Sequence, residues 1–293
     1  MFQGSMVALI TPFRDGQVDE VALRALVEWH IAEGTDAIVA TGTTGESATL
    51  SHAEHHDVIR IVVEQTKGRI PVIAGTGSNA TRESLELTAF AKEAGADAAL
   101  LITPYYNKPT QEGLYQHYKT IAEAVHLPIM LYNVPGRTAV NMSAETVARL
   151  AEIPNVVSIK EATADMELAS NILRLAGNKI ELISGDDATV LPFMAIGGKG
   201  VISVTANIAP RMVSDMVHAC LEGRWDDARV LHMKLLHINK LMFVESNPIP
   251  VKAAVAMLGR CGEELRLPLT PLSEQYRQPL WEEMQGLGLV SGN

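Results

Sequence analysis

The chain has 293 residues, 47% of them hydrophobic and 20% charged, with a formal net charge of −10. That length suits one large α/β domain with an appendage, or two ordinary domains. The acidic balance argues against nucleic acid or an anionic membrane as partner, because both want clustered basic residues. The two cysteines, Cys220 and Cys261, are too few for a disulfide framework or a cysteine zinc site and read as buried small hydrophobes. The opening MFQGSMVALITPF has no basic n-region and too short an apolar run for a signal sequence. No stretch approaches membrane-spanning length. The expectation is a cytoplasmic protein.

Short apolar runs alternate with longer amphipathic ones. The strand-like runs are Met6 to Ile10, Ala37 to Thr41, Pro71 to Gly75, Ala98 to Thr103, Pro128 to Val134, Val156 to Lys160, Ile180 to Gly185 and Gly200 to Thr205. Between them lie segments such as VDEVALRALVEWHIAEG and TRESLELTAFAKEAG, with apolar residues at helical spacing and a terminal glycine, Gly34 and Gly95. The joints EGTDA and AGADA look like one helix-to-strand turn used twice. Eight strands alternating with helices predict parallel βαβ units, and eight is the number that closes a (β/α)8 TIM barrel. An open doubly wound sheet is the rival, but it gives no reason for eight repeats. The predicted division is a barrel over 1–222 and a C-terminal helical extension over 223–293, of about three helices, with a break at Pro248 and Pro250. Trp281 is expected to pack the extension down.

Barrel enzymes keep their chemistry at the C-terminal ends of the strands. The residues there are mostly hydroxyls: GTTGES after the second strand, TPYYN after the fourth, LYNVPGRT after the fifth, SGDD after the seventh. No histidine stands at any of these ends, where metal-dependent barrel hydrolases need histidines or clustered carboxylates as ligands. The histidine cluster HAEHH, His52 to His56, falls on the helix after strand two and reads as a solvated face. GTGSNA, Gly75 to Ala80, matches a dinucleotide fingerprint, but its glycines have a plainer use in a tight βα turn. GGKG at Gly197 precedes a strand and is not a phosphate loop.

The residue that asks for an explanation is Lys160, at the end of the apolar strand VVSIK. Glu161 follows directly and points to the opposite face, so it is a poor salt-bridge partner. A lysine that loses water in a barrel mouth is biased toward its neutral, nucleophilic form. Such an amine attacks a ketone and forms a Schiff base, an electron sink for making or breaking carbon–carbon bonds. Tyr132, on the neighbouring strand, is placed to move protons, with Thr43 and Tyr106 as relays.

GTTGES, TPYYNKPTQEGLYQH, LYNVPGRT, IKEAT, SGDD and GGKGVISVTAN, in that order, resemble the dihydrodipicolinate synthase family of aldolase-type lyases, from GSMVALITPF to NPIPVKAA. The resemblance implies a barrel with a C-terminal helical domain, usually a homotetramer. It implies condensation of pyruvate with L-aspartate 4-semialdehyde in the diaminopimelate route to lysine, with no cofactor beyond the pyruvate imine and no metal. By position, Lys160 would hold pyruvate and Tyr132 would transfer protons, with Thr43 and Tyr106 completing the triad, Tyr106 from an adjacent subunit. Thr44 and the Thr43 backbone would take the pyruvate carboxylate, Arg137 the carboxylate of the aldehyde, and Gly185 and the Ile202 backbone would shape the pocket. Ser47, Ala48, His52, His55, Asn79, Glu83 and Tyr105 match the lysine-binding positions of feedback-inhibited members. Because Tyr105 and Tyr106 are adjacent, an effector touching one could disturb the relay through the other. The departures are Ala164, where the family commonly has glycine, and the sequence beyond Arg137. Both bear on loop shape.

The nearest rival is a related Schiff-base lyase such as N-acetylneuraminate lyase or a keto-deoxy-sugar aldolase. Such enzymes keep the lysine and tyrosine but lack the arginine after the tyrosine motif, so Arg137 and the Tyr105–Tyr106 pair favour the synthase. A non-catalytic metabolite-binding barrel would not need Lys160, Tyr132 and Thr43 together. A nicotinamide oxidoreductase would reveal itself by an absorbance change on cofactor titration.

Overall fold

A computed structural model describes residues 2–291. Met1, Gly292 and Asn293, the outermost residues of the expected 1–222 and 223–293 segments, lie outside the described residues. Among those described, eight parallel strands close a barrel: β1 (Gly4–Ala8), β2 (Ala37–Ala40), β3 (Val72–Gly75), β4 (Ala98–Ile102), β5 (Ile129–Asn133), β6 (Val156–Glu161), β7 (Glu181–Ser184) and β8 (Gly200–Ser203). β1 closes the ring, with Met6 in register with both Ala37 of β2 and Ile202 of β8. The eight strand-like runs of the sequence are these strands, and the open sheet is excluded. A short hairpin pairs Phe13 with Val18 between β1 and the first helix.

Helices α1 (Glu20–Ala32), α2 (His52–Thr66), α3 (Thr81–Glu93), α4 (Gln111–Ala124), α5 (Ala144–Leu150), α6 (Met166–Ala176), α7 (Val190–Ala195) and α8 (Pro210–Leu221) follow the strands in turn. A further turn of helix, Pro135–Thr138, precedes α5. The repeated joint is one device. Gly34 and Gly95 both take positive φ, and two residues on, Asp36 and Asp97 accept the backbone N–H of Ser5 and Val72 at 2.7 and 2.8 Å. Each carboxylate ties the start of its strand to a neighbouring one.

Side-chain alternation divides the apolar material into an inner and an outer set. Met6, Ala8, Val39, Ile73, Leu100, Met130, Tyr132, Ile183 and Ile202 fill the barrel interior. Leu101, Leu131, Ile159 and Leu182, one residue out of phase with that set, pack outward against α4 to α6. The phase of β6 therefore turns Lys160 inward and Glu161 outward.

Three helices follow the barrel: α9 (Trp225–Leu241), α10 (Ile249–Met257) and α11 (Glu274–Gly286). The break between α9 and α10 ends at Pro248, the N-cap of α10, and Pro250 sits in the first turn of that helix, where a proline is tolerated. Leu235, Ile238, Val251, Leu280 and Met284 join the same buried cluster as Val7, Leu26, Ile38 and Val62 of the barrel. Leu280 and Met284, rather than the expected Trp281, dock the last helix, because they share the face turned to α9 and α10 while Trp281 is only half-buried. Cys220 is buried and Cys261 half-buried in this core, both as free thiols. No helix among the described residues is long and apolar enough to cross a membrane.

Candidate active site

The inner cavity lies at the C-terminal ends of β5 and β6. It encloses about 110 Å³ and is walled by Thr43, Thr44, Tyr132, Arg137, Lys160, Gly185 and Val204, among others. Lys160 and Tyr132 are register partners on adjacent strands. Lys160 is 6% exposed and Tyr132 7%. The Lys160 Nζ sits 4.3 Å from the centroid of the Tyr132 ring, within cation–π range. Gly185 has to be glycine, since a Cβ there would approach the Ala162 Cβ to 2.6 Å and the Lys160 Cε to 3.0 Å. The missing side chain is the space the lysine stem occupies.

Glu161 is buried on the other side of the strand. Its Oε2 accepts the Asn133 amide at 2.8 Å and its Oε1 the Thr163 N–H at 2.7 Å, while burial pushes its carboxyl above the usual range. It does not pair with Lys160. Ile202 lies lower in the interior, beside Tyr132 and Ile183 in the inner cluster, and Val204 is the residue from that strand end which reaches the cavity.

Thr43 and Thr44 come from the loop after β2. Thr44 is buried, and its Oγ1 accepts the side-chain amide of Asn247 at 2.9 Å. The carbonyl of the same Asn247 accepts Arg137 Nη2 at 3.1 Å, which steers the guanidinium to the rim. Asn247, 203 residues beyond Thr44, was not singled out in the sequence, although it opens the NPIP motif. Phe243, outside every motif named above, and Asp186 of SGDD also line the cavity.

A larger outer cavity of about 590 Å³ shares the Thr43, Tyr132 and Arg137 walls. Ser47, Ala48, His52, His55, Glu83 and Tyr105 line it. Asn79 stands beside it, its carbonyl accepting the Asn107 amide at 2.8 Å. The Glu83 carboxylate accepts the Ser78 hydroxyl and lies 3.0 Å from His52 Nε2, and these contacts, Ser78 first, lower its pKa. Ser51 caps α2 through a capping box with Glu54, which fixes where His52 and His55 emerge.

The HAEHH cluster is only partly the solvated face expected. His52 is exposed, but His55 is buried, donates from Nε2 to the Gly75 carbonyl at 2.8 Å, and is held neutral by burial with its pKa down to about 4. His56 stacks on Phe90 at 3.6 Å. Among the described residues, no three His, Cys, Asp or Glu side chains gather as a metal would require. The GTGSNA glycines serve close packing: a Cβ on Gly75 would strike the Thr41 carbonyl, and one on Gly77 the Ile102 amide.

Tyr106 is not brought into the site of its own chain. It is 91% exposed, at φ +72°, while Tyr105 at 38% exposure turns to the outer cavity. The two adjacent tyrosines diverge.

The family model for the dihydrodipicolinate synthetase family matches residues 1–286. A 4-hydroxy-tetrahydrodipicolinate synthase of Citrifermentans bemidjiense is 62% identical over 290 residues, covering 99% of this chain and all of the relative. The chloride-inhibited dihydrodipicolinate synthase of Acinetobacter baumannii, solved with pyruvate, superposes with a TM-score of 0.97 at 53% identity, covering 99% of this chain and 100% of the other. The Cyanidioschyzon merolae enzyme, solved with lysine bound, gives 0.96 at 40% identity, with 99% of both chains covered. A match over nearly the whole chain, on the same closed barrel, establishes that the chain belongs to the dihydrodipicolinate synthetase family.

Proposed function

We infer that the chain is a 4-hydroxy-tetrahydrodipicolinate synthase, a lyase that condenses pyruvate with L-aspartate 4-semialdehyde. The observation that carries this reading is Lys160, almost wholly buried, with its amine over the Tyr132 ring in a small cavity. The Lys160 amine attacks the pyruvate keto carbon, and water leaves to give an imine. Loss of a methyl proton converts the imine to an enamine, and its carbon attacks the aldehyde, whose oxygen takes a proton. The amine of the second substrate then adds to the imine carbon, closes the ring and frees Lys160. Tyr132 is the nearest proton carrier for these transfers, with Thr43 beside it. Thr44 and the Thr43 backbone take the pyruvate carboxylate, and Arg137 at the rim pairs with that of the aldehyde. Arg137 also favours this acceptor over the sugar aldehydes of related lyases.

A Tyr106 that stands in solvent in its own chain fits a relay completed across a dimer of a homotetramer. The outer cavity fits feedback inhibition by lysine, with Glu83 as partner of the effector amine. Its lining and the lysine-bound relative support that reading.

The test is intact-protein mass after incubation with pyruvate and borohydride. One reduced adduct per chain in the native protein and none in Lys160→Ala is the expected result. No adduct in the native protein would remove the imine mechanism. Activity unchanged at high lysine would remove the regulatory part alone.

A further inference from the structure

The loop after β2 carries Thr43 and Thr44 toward the inner cavity and Ser47 and Ala48 toward the outer one. Glu46 lies between these pairs and lines neither cavity. It is 4% exposed and adopts a left-handed backbone, φ +56° and ψ +35°, that residues with a side chain rarely take. Its N–H donates to the Thr43 carbonyl at 3.0 Å, and its own carbonyl accepts the Thr49 N–H at 3.0 Å. The Glu46 backbone thus closes the turn that presents Thr43 and opens the turn after Ser47.

The carboxylate of Glu46 is held from far away in sequence. One oxygen accepts Lys252 Nζ of α10, and the other accepts the Arg266 N–H at 3.1 Å. Lys252 is fully buried, donates also to the Glu264 carbonyl at 2.9 Å, and lies 4.2 Å over the Phe13 ring. Asn247, two residues before α10, holds Thr44, and its Oδ1 is buried without a hydrogen-bond partner in the chain. Buried ion pairs are inefficient stabilisers compared with apolar packing, so this one calls for another role, and fixing a conformation is the best attested.

We propose that the Lys252–Glu46 ion pair is a positioning device through which the C-terminal helices set the Thr43–Ala48 loop, and with it both pyruvate binding and the effector's grip. Lys252 and Glu46 are positioning residues, since neither reaches a reacting atom. The inference rests on the pyruvate reading above and deepens it.

The test compares native protein with the double variant Glu46→Gln/Lys252→Met, which removes both charges together and leaves neither unpaired. The readouts are thermal midpoint, kcat, the KM of each substrate, and the lysine concentration that halves activity. We expect a folded double variant with pyruvate KM raised about tenfold, kcat lowered several-fold through Thr43, the aldehyde KM within about twofold, and lysine inhibition weakened. A folded variant with native pyruvate KM and native lysine response would overturn the proposal and leave the pair a purely structural contact. Should the double variant not fold, Glu46→Gln alone, which keeps an acceptor for Lys252, decides by the same two readouts. Native protein that forms no pyruvate adduct with borohydride would overturn the parent reading and this one with it. An adduct in the native protein with no change in the variant would overturn this one alone.

Discussion

The two cavities share a wall but are built differently. The inner one takes Lys160 and Tyr132 from paired strands, where ladder hydrogen bonds and packing on both faces leave little freedom. The outer one adds loops and helix starts to the ends of β3 to β5, with exposed His52, Ala48 and Tyr105 along it and Tyr106 turned away altogether. On the reading proposed above, the groups that must hold a bond-forming geometry would stand on the rigid part. The groups that meet solvent, an effector or a second chain would, on the same reading, stand on the adjustable part.

The sharpest way to break this comparison is Tyr132→Phe. If the inner cavity carries the proton transfers, kcat falls by roughly 10²- to 10⁴-fold, while borohydride trapping of pyruvate on Lys160 persists. A loss within threefold would move the proton role elsewhere. The next test asks whether Tyr106 works across an interface. Tyr106→Phe and Lys160→Ala proteins, each nearly inactive alone, are mixed and allowed to exchange subunits. Random exchange makes half the dimers mixed, with one of two sites intact, so roughly a quarter of native activity should return. No recovery would count against delivery by a partner.

A smaller effect separates the regions by pH. His55 has its pKa depressed by burial from 6.5 to about 4. The unfolded chain therefore binds more protons between these values, and the stabilisation, complete above pH 6.5, is lost as pH falls through about 4. It is on the order of 3 kcal/mol. His55→Gln, which keeps a donor for the Gly75 carbonyl, should flatten the decline of urea-unfolding free energy over that window. A slope identical to the native one would show that His55 does not titrate as described. The smallest effect is at Ala164, where the chain departs from the glycine common in its family. Ala164 is exposed with φ +60°. Ala164→Gly relieves the left-handed strain at some cost in chain entropy, for a net gain of roughly 0.5–1 kcal/mol. A lower thermal midpoint would contradict this.

What was legible in the sequence was whatever local pattern dictates. Short β-branched runs between helical stretches gave all eight strands, and the phase of VVSIK set Lys160 against Glu161. The residue types at the strand ends pointed to the mouth of the barrel, where the structure places the inner cavity. The partners that cross the molecule were not legible, because no periodicity links Asn247 to Thr44, or Lys252 to Glu46, 206 positions earlier. The histidine cluster was half-read for a related reason: helical spacing says which residues share a face, while the depth of His55 depends on β3 beside it. Trp281 was over-weighted for its size, whereas the contact face of α11 is chosen by Leu280 and Met284.

The shared core described above also bears on the order of synthesis. One cluster, from Leu101 to Phe193, is built from neighbouring stretches of chain and can condense while translation continues. The other joins Val7 and Leu26 to Leu235 and Met284, and β1 lacks its second partner until β8 has been made. The strand made earliest among the eight of the barrel is thus among the last of them to be fully sheltered. Until β8 is made, one edge of β1 stays unpaired, the kind of exposed strand edge that readily pairs with another chain.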